Sequence, residues 1–246
     1  MKAAFCLSGL ARSIPVSYHW IQKYYIKPYN CDVFFRSWTT TEQDGDHSPM
    51  KAIELYDPKS SELEDYDETG FKKMAIAAAK NDPVKLEKIV SANRHRVYAM
   101  WINVAKCFEL IEKTNTLYDL IFRGRPDGWY ITRFDFNKIE PKTLYILGSK
   151  FNDGFAAGDF RTMQEYSRLF YRIPSYLNLY NSYDPKYILC PHTLLEFHLK
   201  SMEMQGYKIV KLKNNIRAGK IWASPVMSED EDPFVSAKFY EDQSNV

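Results

Sequence analysis

The sequence predicts an α/β domain with a mainly parallel central sheet flanked by helices, and two observations carry this. First, the chain opens with an apolar run, a Gly turn, an aromatic-rich helical stretch and a second apolar run, which together read as a βαβ unit. Second, its polar clusters all follow strand-like runs, at the edge where open α/β sheets bind ligands. With 246 residues, 45% hydrophobic and 26% charged, the chain can bury a core, which excludes disorder as its main state. No internal repeat or low-complexity linker divides it, so the expectation is one domain over 1–246, with 225–246 as a solvated tail around Glu229-Asp230-Glu231-Asp232-Pro233.

Lys2 to Leu7 is a short apolar run closed by Ser8-Gly9 and reads as a buried first strand. Ile14 to Tyr25 follows as a helix, and Cys31 to Trp38, rich in aromatic and β-branched residues, as the second strand. Residues 39–50 carry Gly, Pro and polar residues and read as a loop. Ala52 to Tyr56 is taken as a third strand, stopped by Asp57-Pro58, with Ser60 to Thr69 as an acidic loop. Helices are expected over Phe71 to Lys80 and Val84 to Lys113. In the second, Val97, Met100, Trp101, Val104, Phe108 and Ile111 recur at three- and four-residue steps, the pattern of a core face. Leu117 to Phe122 is a compact strand running into Arg123-Gly124-Arg125-Pro126-Asp127. Leu144 to Leu147 is another, followed by a loop over Gly148 to Asp159. Helical patterns return at Phe160 to Tyr171 and Thr193 to Gln205, with a last strand at Tyr207 to Leu212.

Charge and composition narrow the function classes. Thirty-three Lys and Arg stand against 31 Asp and Glu, a formal +2, which gives no electrostatic footprint for a nucleic-acid partner. The N-terminal apolar run is too short for a signal segment, and no stretch approaches ~20 apolar residues, so the expected setting is cytoplasmic with no transmembrane segment. Cys6, Cys31, Cys107 and Cys190 have no C-x-x-C spacing and read as reduced core thiols. P-loop, G-x-G-x-x-G, G-x-S-x-G and H-E-x-x-H patterns do not occur in the sequence. His192, Glu196 and His198 lie close in sequence, but on a helix His198 points away from the other two.

Three clusters remain. Ser8-Gly9-Leu10-Ala11-Arg12-Ser13 combines a Gly turn with a helix N-terminus, and Arg12 can fork onto a phosphate. Arg123-Gly124-Arg125-Pro126-Asp127 sets two guanidiniums and a carboxylate on a rigid turn. Asn152-Asp153-Gly154-Phe155-Ala156-Ala157-Gly158-Asp159 mixes small residues with carboxylates. Each also has a plain structural reading: a strand-to-helix turn, a surface ion-pair cluster and an Asn-Asp-Gly turn.

The ordered segments "FCLSGLARS", "CDVFFRSW", "YDLIFRGRPDG", "FNDGFAAGDFRTMQEYSRLFY" and "CPHTLLEFHLKSMEMQGYKI" resemble small GT-A-like glycosyltransferases of bacterial surface-polysaccharide clusters and large DNA viruses, including the WavE-type lipopolysaccharide-synthesis family. The similarity spans about residues 1–212. It departs from the family pattern at Arg36, where His is more usual, and at His192, where Glu is expected. The resemblance implies a GT-A-like (Rossmann-like) fold and transfer of a sugar from a nucleotide-diphosphate donor to a glycan or lipid-linked acceptor. It implies donor binding by Ser8, Gly9, Arg12, Trp38, Arg123, Arg125 and Asp127, with Asp127 at a DxD-like position as ligand for Mn²⁺ or Mg²⁺. Arg125 replaces the first acid of that triplet and puts metal dependence in question. Asp153 is the candidate general base. The expected partners are the nucleotide sugar and a glycan or glycolipid, with peripheral membrane contact and no nucleic acid. The alternatives are a sulfotransferase-like group transfer, and a non-catalytic carbohydrate-binding module suggested by 18 Tyr, 15 Phe and 5 Trp.

Overall fold

The computed structural model describes residues 1–11, 14–39, 48–128, 134–147, 153–179 and 189–212. Among them, seven strands form one sheet in the order β3-β2-β1-β4-β6-β5-β7. The strands are β1 (Ala3–Ser8), β2 (Asp32–Trp38), β3 (Ser60–Glu64), β4 (Leu120–Gly124), β5 (Thr143–Leu147), β6 (Phe155–Gly158) and β7 (Lys208–Leu212). Neighbours β3, β2, β1 and β4 pair in parallel, β6 runs antiparallel to both β4 and β5, and β7 is parallel to β5. The expected fold class, a mainly parallel sheet flanked by helices, is therefore what the chain adopts.

Parallel neighbours need crossovers, and helices supply them. Between β1 and β2 run α1 (Ile14–Ile21), a π-helical turn (Gln22–Ile26) and α2 (Lys27–Tyr29); α3 (Pro49–Tyr56) leads to β3. The return from β3 to β4 uses α4 (Glu68–Ala78), α5 (Pro83–Ser91) and the long α6 (Arg96–Glu112). After β6 come α7 (Phe160–Ser167), α8 (Leu169–Leu179) and α9 (Pro191–Met204). Alternate residues of each strand feed two cores. Ala4, Cys6, Phe34 and Ile121 join the face covered by α4 to α9, while Phe5, Leu7, Phe35 and Phe122 join the face covered by α1 and α3.

Several expected elements are corrected. Ala52 to Tyr56 is not a strand but the end of α3. Ser48 caps that helix by accepting from the Lys51 N–H at 3.1 Å, Pro49 opens it, and Asp57 closes it in the left-handed region. The acidic stretch read as a loop contains edge strand β3, whose polarity suits an edge and whose glutamates meet a buried arginine. The helix expected over Val84 to Lys113 is broken into α5 and α6 around Asn93, at φ +49°. The Gly148 to Asp159 loop contains β6, and Phe160 to Tyr171 divides at Arg168 into α7 and α8. Of the α6 stripe, Val97, Trp101, Val104, Phe108 and Ile111 are buried and Met100 is half-buried against the same core. The expected tail over 225–246 lies outside the described residues. Among the described residues no helix is long and apolar enough to cross a membrane.

Candidate functional site

Strands β1, β2 and β4 end at the same sheet edge, because all three are parallel and in register: Ser8 lies opposite Arg36, and Leu7 opposite Gly124. Ser8 is buried, and its hydroxyl accepts from Arg123 Nε at 3.4 Å. Gly9 turns the chain at φ +133°, which a side-chain-bearing residue rarely adopts, while its N–H donates to the Arg36 carbonyl at 3.2 Å. A Cβ there would meet Pro126 Cδ at only 3.7 Å, an ordinary contact, so the backbone angle and not space calls for glycine. The buried Ser17 hydroxyl on α1 donates to the Pro126 carbonyl. One helix thus ties the turn after β1 to the turn after β4.

The third cluster arrives through β6. Its antiparallel register pairs Arg123 with Ala156 and Gly124 with Phe155. Carried two residues further, this pairing brings Asp153 beside the Arg125-Pro126 turn. Gly158 permits the close approach of β6 to its neighbours, since a Cβ would lie 3.0 Å from the Thr143 carbonyl oxygen. Ser8, Gly9, Arg123, Arg125, Asp127 and Asp153 are therefore gathered at one edge.

Within this edge Arg125 grips Asp127 bidentately, Nε to Oδ1 and Nη2 to Oδ2, both at 2.8 Å. Both oxygens of Asp127 accept hydrogen bonds, and no group of three His, Cys, Asp or Glu side chains suited to a metal occurs among the described residues. A divalent cation at Asp127, as the family resemblance implies, would share the carboxylate with Arg125, since each oxygen accepts one hydrogen bond and keeps a further lone pair. Arg123 is more telling. It is buried, and its Nη1 has no hydrogen-bond partner among the described residues. The hydroxyl of Tyr166, on α7, is likewise buried and unpartnered. Burial pushes that phenol up to about 12, with Arg123 drawing it down and the Asp153 charge pushing it up. Two orphaned donors of this kind are costly unless a ligand or water engages them. Close by, the Cys6 thiol is raised well above its usual value by burial and by Cys107, against the pull of Arg123.

Other expected residues are placed differently. Trp38 is buried edge-on against Tyr66 and Phe71, at ring separations of 5.5 and 5.6 Å, with the Arg36 guanidinium 4.5 Å from its ring centre. It is committed to the core and presents no open face. Arg36 itself is fully buried, bonded to Asn103 and Glu64 and 3.5 Å from Glu62. Asp159 caps α7 by accepting from the Thr162 N–H at 2.7 Å, and also accepts from the Lys142 N–H at 2.8 Å. His198 is a satisfied core histidine: its Nε2 faces the Glu165 carbonyl at 2.9 Å and its Nδ1 the Tyr176 hydroxyl at 2.8 Å. Arg12 and Asn152 lie outside the described residues. Nothing in the sequence marks Tyr166, which sits in a helical segment as one aromatic among many.

No family model and no curated protein matches this sequence. Among solved structures, the chain is similar to the apo form of mouse xyloside xylosyltransferase 1. The alignment covers 85% of this chain and 84% of that one, at 10% identity and a TM-score of 0.40.

Proposed function

We propose that the protein is a glycosyltransferase that moves a sugar from a nucleoside diphosphate sugar to a hydroxyl of a glycan or glycolipid acceptor. The observation that supports this best is the buried Arg123 guanidinium, with Nη1 unpartnered among the described residues, at the edge shared by the Gly9 turn, Arg125 and Asp153. Breaking the bond between the sugar's anomeric carbon and the diphosphate oxygen leaves negative charge on the diphosphate. A preorganised, desolvated cation is worth most where such charge develops. Arg123 and the Gly9 turn supply that environment, and Arg125, held in place by Asp127, adds a second guanidinium.

As the acceptor oxygen bonds to the anomeric carbon it must release its proton. Asp153 stands at the same edge, half-buried and flanked by Gly154, and takes that proton in an inverting transfer. Asp159, the other carboxylate of the segment, is occupied as a helix cap.

Thermal-shift measurements with UDP, GDP and adenosine 3′,5′-bisphosphate test this reading on the wild type and on Arg123→Met. A nucleoside diphosphate should stabilise the wild type and lose that effect in the variant. Stabilisation by the bisphosphate alone would point to sulfuryl transfer. A protein that binds glycans and responds to no nucleotide would be a carbohydrate-binding module.

A further inference from the structure

Helices α6, α7 and α8 meet around an open groove of about 420 Å³, within the range of roughly 300–1,000 Å³ in which small ligands are held. Ala105 and Phe108 of α6, both buried, give it an apolar floor. Its rim is polar: Glu109 and Glu112 come from the end of α6, Arg168 and Arg172 from the start of α8 and the residue before it, and Gln164 from α7. The groove is remote from the candidate site. Glu112 closes α6 on the side where β4 begins, whereas Arg123 and Arg125 stand where β4 ends.

Two features narrow what the groove can hold. Tyr171, in its lining, is the only exposed aromatic side chain among the described residues, at 52%. Its hydroxyl donates to Glu109 Oε1, which fixes the ring against α6, and burial together with the Glu109 and Glu112 charges pushes the phenol up to about 12, so it stays a donor at neutral pH. The second feature is charge. The lining carries two carboxylates and two guanidiniums, and the groups next to them, Lys106 at 3.6 Å from Glu109 and Glu165 at 3.5 Å from both arginines, cancel as well. A groove without net charge gives no attraction for a nucleotide, a polyanion or a basic peptide.

An apolar ligand would desolvate these charged groups and give nothing back. A neutral sugar suits them. Its hydroxyls each donate and accept, so adjacent hydroxyls of one ring can meet a carboxylate and a guanidinium, while its C–H face packs on an aromatic ring. The planar side chains are already held in place for this, since Gln164 Nε2 donates to Glu112 Oε1 at 2.6 Å and Tyr171 is tied to Glu109.

We propose that the groove between α6, α7 and α8 is a second site, separate from the candidate active edge, which binds a neutral oligosaccharide with one sugar ring stacked on Tyr171. That the bound glycan is a distant part of the acceptor rests on the function proposed above; the binding itself does not.

Saturation-transfer NMR of the full chain with neutral glucan, mannan and galactan oligosaccharides tests the proposal, with heparin as a charged comparison. The wild type should bind at least one neutral oligosaccharide and prefer it to heparin. Tyr171→Ala should weaken that binding about tenfold, the scale for losing an aromatic anchor, while Tyr171→Phe, which keeps the ring, should retain it. Arg123→Met should bind the oligosaccharide like the wild type, and Tyr171→Ala should keep the wild-type melting temperature and thermal response to nucleoside diphosphate, so the failure of this site and the failure of the proposed activity read out separately. Four results would overturn the proposal: no binding of any neutral oligosaccharide, binding unchanged in Tyr171→Ala, equal loss in Tyr171→Phe and Tyr171→Ala, or binding removed by Arg123→Met. A preference for heparin would overturn it too.

Discussion

Arg125 and Asp127, two residues apart, close on each other through two parallel 2.8 Å hydrogen bonds across the tip of the Pro126 turn. The carboxylate thereby orients a guanidinium at the site edge. Asp127→Ala should lower transfer by about 10²-fold, the scale for losing an electrostatic stabiliser. It should also cost about 1–3 kcal/mol of stability, below the ~3–5 of a wholly buried pair, because Arg125 is partly exposed. With the carboxylate engaged in this way, removing divalent cations with a chelator should leave nucleoside diphosphate affinity unchanged. Calorimetry with and without Mn²⁺ checks this, and a cation-dependent affinity lost in Asp127→Ala would make Asp127 a metal ligand instead.

Tyr166→Phe separates stability from function. Removing a buried hydroxyl that has no partner among the described residues should leave stability unchanged or raise it by up to about 1–3 kcal/mol, read as an unchanged or higher melting temperature. If a bound ligand completes the Arg123 and Tyr166 site, transfer falls in the same variant. A lower melting temperature would show that the hydroxyl is satisfied in the free protein.

Much of the site was legible because glycine and proline punctuate apolar runs. Ser8-Gly9 and Arg125-Pro126 announce strand ends, and parallel pairing then brings them together. What stayed hidden depends on distant partners. Phe155-Ala156-Ala157-Gly158 has little strand character of its own and becomes β6 only between β4 and β5. Glu62 and Glu64 look like loop residues until Arg36 is seen beneath them. The family resemblance implies a donor-binding Trp38, yet Phe71, far along the chain, packs on its ring.

Arg36 holds β3, β2 and α6 together through Glu62, Glu64 and Asn103. Arg36→Met should destabilise the fold by roughly 3 kcal/mol, because carboxylates and an amide lose their partner at the edge of the core. The denaturant midpoint measures it, and near-wild-type stability would show the cluster to be passive.

His198 makes stability pH-dependent. Since a carbonyl only accepts, Nε2 carries the proton toward Glu165 and Nδ1 accepts from the Tyr176 hydroxyl. Burial pushes the imidazole down to about 4 from 6.5. A folded value below the unfolded one means that this contribution is fully present above about pH 6.5 and is lost as pH falls from there toward 4. The total is ~3 kcal/mol at 1.36 per unit. Melting temperatures should fall over that window in the wild type and fall less steeply in His198→Gln; equal slopes would assign the acid sensitivity to other groups.

The central claim is that the edge holding Arg123, Arg125 and Asp153 turns over a nucleotide sugar, and release of nucleoside diphosphate from a panel of nucleotide sugars measures it most directly. The account predicts that at least one donor is consumed by the wild type, that Arg123→Met abolishes the release, and that Asp153→Asn slows transfer by about 10²–10⁴-fold with donor affinity retained. No release from any donor, or an Asp153→Asn protein as active as the wild type, would contradict it.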